Sequence, residues 1–316
     1  MGSDYEERMA ALREAVQPVE PDDPLAEAGR KILLVNFIEM LDHEAGSRSG
    51  ADIEAVHDMR VATRRMRSLL RLLQASYKKK TIRPFTDQIR IIAGRLGAVR
   101  DLDVMIDDLT TYQKTLDAEA QANLQTAIDK LVKRRDKARQ QLIKLLDSKP
   151  YQQFVKRFSK FLTTAGKGAN PPEADEVTPY QVRHVVPVIL HQHLAAVRAY
   201  DTVMENGSTD TLHALRIEFK RLRYAVSFFS EVLGTSTKDF IDEIKAIQDH
   251  LGRLNDVQTG RAGLNSLIEG NSALQDYLAG LEAEAQAKVE QFPAVWARFN
   301  SRTIQRHLSD ALLVLR

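Results

Sequence analysis

Apolar residues recur at intervals of three and four along nearly the whole chain, the spacing of amphipathic helices rather than of strands. Only 15 glycines and 10 prolines interrupt the 316 residues, so long helical stretches remain. The periodicity predicts helices over 25–45, 52–80, 83–111, 115–147 and 151–163, then over 180–204, 210–233, 236–268, 273–300 and 302–315. From Thr164 to Pro179 it breaks at Gly166, Gly168, Pro171, Pro172 and Pro179, the composition of a linker. Residues 1–24, with Pro18, Pro21 and Pro24, read as a poorly ordered tail. The expected partition is a tail over 1–24, a first helical bundle over 25–165, a linker over 166–179 and a second bundle over 180–316. The fold class expected is all-α, as two antiparallel four-helix bundles.

The two halves repeat one another. V-H-D-M-R-V-A-T-R-R-M-R-S-L-L-R-L-L, Val56 to Leu73, aligns with L-H-A-L-R-I-E-F-K-R-L-R-Y-A-V-S-F-F, Leu212 to Phe229. His57 then matches His213, Arg60 matches Arg216, Arg64 matches Lys220, Arg65 matches Arg221 and Arg67 matches Arg223. The likeness continues from Ile89–Leu102 to Ile244–Val257, pairing Asp101 with Asp256 and Gly97 with Gly252. The offset between copies changes by only one residue, so a pseudo-two-fold relation between the bundles is expected. Two units of this length exclude a solenoid.

On a helix at 100° per residue, His57, Arg60, Arg64, Arg67 and Arg71 fall within an arc of roughly 80°, opposite Met59, Met66, Leu69, Leu70 and Leu73. His213, Arg216, Lys220 and Arg223 occupy the same arc in the second copy, opposite Leu215, Phe219, Leu222, Val226 and Phe229. On the following helix Arg83 and Arg90 share a face opposite Ile92, Leu96 and Val99, and Lys238 and Lys245 oppose Ile247, Leu251 and Leu254. A solvated helix face ordinarily mixes signs to gain ion pairs with the next turn. The arc beginning at either histidine carries no acid. Like charges stacked in that way call for an anion, and arginine suits bidentate grasp of phosphate oxygens. Asp101 and Asp256 are expected to orient basic side chains of the preceding helix, and Gly97 and Gly252 to let helices approach closely.

Composition narrows the chemistry. The formal net charge is only +2, yet nine Lys/Arg and a single acid, Asp58, lie between His57 and Arg83. That concentration points to a local electrostatic site rather than to a generally basic protein. There are no cysteines, which excludes disulfides, thiolate catalysis and zinc–thiolate or iron–sulfur sites. No phosphate-binding glycine loop, nucleophile elbow or paired-carboxylate metal pattern occurs. His191 and His193, two residues apart, point to different sides of a helix. Neither a metal site nor a cofactor is expected. No secretory signal or membrane-spanning run is visible, so the expected location is the cytoplasm.

The motif H-x-x-R-[VI]-x-x-[RK]-R-[ML]-R, present twice and each time followed by L-G-x-[VL]-x-D-[LV], resembles the CHAD domain, the conserved-histidine α-helical domain. The resemblance runs from about residue 25 to the C-terminus. It implies two bundles about a pseudo-two-fold axis with a basic central cavity or pore. It also implies non-catalytic binding of inorganic polyphosphate, and association with polyphosphate granules or with a polyphosphate-metabolising enzyme. The family's histidine and basic positions carry over to His57, Arg60, Arg64, Arg67, His213, Arg216, Lys220 and Arg223, with Arg71, Arg83, Arg90, Lys238 and Lys245 completing the expected set. Some members are fused to a triphosphate-tunnel (CYTH) catalytic domain, whose strands are not expected here. Ser227 stands where Arg71 stands in the first copy, and Asn255 where Arg100 stands, so the second copy is expected to contribute less. Two alternatives remain: binding of an RNA or DNA backbone, disfavoured because the arcs carry no aromatic residues for base stacking, and regulation of a separate polyphosphate or triphosphate enzyme.

Overall fold

The computed structural model describes residues 2–50, 52–170, 177–206, 209–264 and 267–315. Helices α1 Gly2–Glu14, α2 Leu25–Asp42, α3 Glu44–Ser49, α4 Ile53–Leu72, α5 Lys79–Gln113, α6 Ala118–Leu146 and α7 Lys149–Leu162 are followed by α8 Val182–Arg198, α9 Thr209–Phe228, α10 Thr237–Leu264, α11 Ser272–Phe299 and α12 Arg302–Leu312. Among the described residues there is no strand, only two isolated bridges, and the all-α class holds.

Local chemistry sets the ends. The Asp52 carboxylate accepts the Glu54 N–H at 2.8 Å to start α4, and the Asn271 side chain accepts Leu274 N–H at 2.9 Å to start α11. Gly50, at φ 60°, closes α3 in the left-handed conformation that glycine tolerates. The helix expected over 52–80 stops at Leu72 and gives way to a 3-10 turn, Gln74–Ser76. The next helix starts at Lys79, ahead of the expected 83, and carries Pro84 within it.

The chain forms two compact units. One comprises Met1–Val104 with Lys133–Val186, the other Met105–Val132 with Pro187–Arg316. This departs from the partition at 166–179: the end of α5 and the start of α6 pack with the second unit. Tyr112 and Tyr277 bring their rings to 5.1 Å, the Asn271 amide donates to the Asn123 carbonyl at 2.9 Å, and Met105 lies against Gly263. The stretch 177–186 joins the first unit, where Tyr180 accepts the Leu25 N–H at 2.8 Å. Residues 171–176 of the expected linker lie outside the described residues.

Nor do residues 1–24 form a loose tail. Helix α1 seals Met9 and Leu12 to 2% and 1% exposure, while Tyr5 donates to the Leu41 carbonyl and Arg13 pairs with Asp42 at 2.6 Å. Every apolar residue expected to face inward from the two basic helices and their successors is buried. In the first unit Phe158 is the hub, with ring contacts to Phe37 at 5.0 Å, Phe85 at 4.8 Å and Phe154 at 5.3 Å.

Candidate anion-binding site

Helices α4 and α5 run antiparallel, because Arg100 and Asp101 far along α5 reach Glu54 and Arg60 near the start of α4. The end of α4 therefore meets the start of α5. There a pocket of about 420 Å³ opens, and its lining includes Arg67, Arg71, Lys79, Arg83 and Arg90, the acid Asp87, and Gln74 and Thr86 as neutral polar groups. Four of the expected site residues are brought together. Their like charge is felt: burial and then the nearby Arg71 and Arg90 pull the Arg67 guanidinium below its ordinary pKa. Among the described residues, neither Arg67 nor Arg71 is ion-paired to a carboxylate.

His57, Arg60 and Arg64 lie on the same stripe of α4 but not in this pocket lining. Arg60 reaches Asp101 at 3.5 Å, the orienting role expected of that carboxylate. Burial first, and then Arg100, lowers the pKa of His57 below its ordinary 6.5, against the opposite pull of Glu54 and Asp58. Arg65 turns from the stripe and donates to Asn36 at 2.7 Å, pinning α4 to α2.

In the second unit Arg216, Lys220 and Arg223 are half-buried on α9, and His213 is exposed. The Arg223 guanidinium lies 5.3 Å from the Tyr224 ring centroid, within cation–π range. Lys238 and Lys245 stand exposed on α10.

One expectation changes. A Cβ at Gly97 would meet only the Arg60 side chain, at 3.7 Å, and one at Gly252 would meet nothing within 4 Å. These glycines therefore do not serve close helix approach. The stripes on α5 and α10 are not free of acid. Asp87 lies 3.8 Å from Arg83 and 3.3 Å from Arg90; Asp242 lies 2.8 Å from Lys238 and 3.3 Å from Lys245. The Lys238 and Lys245 ammonium groups hold the Asp242 carboxyl below its ordinary range. The arrangement was legible, because a residue four after one cation and three before the next shares their face. Lys79 was also missed as a site residue, since the triplet Lys78–Lys80 reads as a solvated loop when α5 is started at residue 83. Among the described residues no three His, Asp or Glu gather as a metal site, and no helix is long and apolar enough to cross a membrane.

A family model described as the CHAD domain matches residues 31–265. Two uncharacterised proteins of Mycobacterium tuberculosis are each 29% identical over 245 residues, covering 75% of this chain and 45% of theirs. The chain thus spans about half the length of the curated relatives it matches. The crystal structure of the CHAD domain from the plant Ricinus communis superposes with a TM-score of 0.64 at 22% identity, covering 93% of this chain and 94% of that one. PptA from Streptomyces chartreusis gives a TM-score of 0.64 at 15% identity, covering 87% and 100%. At these identities the two structures bear on the fold alone.

Proposed function

The chain belongs to the CHAD domain family, and from that membership together with the arginine pocket we propose that it binds inorganic polyphosphate without altering it. The observation that carries this reading is the meeting of Arg67, Arg71, Lys79, Arg83 and Arg90 around one pocket, with two of the arginines ion-paired to no carboxylate among the described residues. Guanidinium groups so placed offer bidentate donors to the oxygens of consecutive phosphates. The pocket's described lining holds no aromatic side chain, which favours a bare phosphate chain over a nucleic acid whose bases would need stacking partners. His213, Arg216, Lys220 and Arg223 supply a second cationic stripe in the second unit. In this reading the protein acts in the cytoplasm, at polyphosphate granules or beside an enzyme that makes or consumes the polymer.

The test is binding of long-chain polyphosphate to the wild type and to Arg67→Glu/Arg71→Glu, with helicity checked by circular dichroism. Affinity should fall at least about tenfold, and the slope of log K against log salt should shrink by about 0.7 for each lost phosphate contact, by analogy with single-stranded nucleic acid. A folded variant with unchanged affinity would overturn the reading. RNA outcompeting polyphosphate at fixed salt would transfer the site to nucleic acid. Loss of chain length on incubation with Mg²⁺ would make the protein an enzyme.

A further inference from the structure

Helix α7 carries a charge distribution that the pocket does not account for. From Ser148 to Pro172 the sequence has no acid, and it places Lys149, Lys156, Arg157, Lys160 and Lys167 in that span. At 100° per residue Lys149, Lys156 and Lys160 fall in one row about 40° wide and roughly 16 Å long. Opposite them Phe154, Phe158 and Phe161 are 5%, 0% and 1% exposed. All five basic residues are exposed, and among the described residues none has an ion-pair partner. Lys149 even stands in the first turn of α7, a turn that carries no acid and where the helix dipole disfavours a cation; the preceding Asp147 is held by Arg48 at 2.5 Å. An unbalanced cationic row of this kind is stabilised by an external anion.

The end of the row lies near the segment that leads into the pocket. The turn after α7 is stitched to the start of α5: Lys78 donates its N–H to the Gly168 carbonyl at 2.8 Å, and Asn170 donates to Ser76 at 2.9 Å. The fit is close, since a Cβ at Gly168 would sit 2.6 Å from Thr81 Cγ2. Lys167 therefore lies beside the segment that leads into Lys79, which lines the pocket, and Lys80.

We propose that the outer face of α7 is a second track for the phosphate polymer, which leaves the arginine pocket past Lys79 and runs along Lys167, Lys160, Lys156 and Lys149. This rests on the reading of the pocket as a phosphate site. The occupant is a linear polyanion because the face offers charge and little else. The apolar side of α7 is spent in the core, so nothing remains to insert into a bilayer. The residues exposed between the cations are the polar Gln152, Gln153, Thr163 and Thr164 together with Pro150, Ala165 and Gly166, with no aromatic ring to stack a base.

Lys149→Gln/Lys156→Gln/Lys160→Gln keeps good helix formers and touches no pocket residue. Binding is measured for tripolyphosphate, long-chain polyphosphate and phosphatidylserine-containing vesicles. Tripolyphosphate, confined to the pocket, should bind the variant as it binds the wild type. Long-chain affinity should fall about tenfold or more, and the salt slope should shrink by about 2, three contacts at about 0.7 each. An unchanged long-chain affinity and slope would overturn the track and leave the pocket reading intact. Failure of the wild type to bind either polymer would overturn the pocket reading first. Loss of vesicle binding with polyphosphate affinity retained would assign the face to a membrane surface and overturn the track.

Discussion

Asp87 has a consequence for affinity that the cations alone do not reveal. It holds Arg83 and Arg90, so a bound phosphate must compete with a carboxylate already in place. Exposed pairs of this kind are worth about 0.2–1 kcal/mol, and removing the competitor should raise affinity by up to about fivefold. Asp87→Asn is therefore expected to bind polyphosphate more tightly, as a calorimetric titration would read; weaker binding would show that the carboxylate instead holds the arginines in the geometry that the ligand needs. Asp242→Asn should act in the same direction at Lys238 and Lys245.

His57 carries a pH dependence. Burial and Arg100 depress its folded-state pKa below the ordinary 6.5, so the folded protein takes up this proton less readily than the unfolded chain does. Stability from this group is complete above the unfolded pKa and declines as pH falls through the region below it. A polyanion on the stripe opposes the shift by favouring the imidazolium. Affinity should be flat at high pH, rise as pH drops through the raised pKa of the bound state and level off below the depressed pKa of the free state. His57→Gln should flatten that profile between about pH 5.5 and 8, and an unchanged profile would remove His57 from the linkage.

Among the helices, α4 and α7 show how an amphipathic sequence becomes a placed surface. On α4 the buried face of Met59, Met66 and Leu69 turns the arginines outward. On α7 the aromatic face does the same for the lysines. Phe158 is 0% exposed and touches Phe37, Phe85, Phe154 and Phe161. Phe158→Ala should cost about 3–5 kcal/mol in chemical denaturation, while a cost below about 1 kcal/mol would mean that the cluster can close over the cavity. Helix α1 marks the opposite case. Among its described side chains the inward set is only Tyr5, Met9 and Leu12. A helix that short is marginal by itself and exists by docking on α2, which is why its sequence resembles a tail.

Across the chain, the division into units has a direct test. Leu109, Leu124 and Leu131 are each 0% exposed and belong to the unit otherwise made of residues 187–316. A fragment of residues 1–165 would present these side chains to water, although the periodicity marks it as a complete bundle. It should bind a hydrophobic dye and aggregate where the full chain does not, as light scattering would show. A monomeric fragment with native helix content and a cooperative melt would restore the boundary at 166–179.

The sequence was sufficient for whatever depends on near neighbours. Three- and four-residue spacing determined the helices and the inward faces of α4, α5, α9 and α10, because helical geometry converts sequence separation into direction. The same rule aligned the cations and, applied once more, would have found Asp87 and Asp242. Tertiary packing decided the rest. Which end of α4 meets which part of α5, and hence that Arg67, Arg71, Arg83 and Arg90 share a pocket with Lys79 while His57 and Arg60 stand near Arg100 and Asp101, follows from the antiparallel turn at residues 73–78. The assignment of residues 105–132 to the second unit likewise follows from contacts with side chains more than a hundred positions away. Periodicity records which face of a helix is apolar, and burial against a distant partner determines what that face meets.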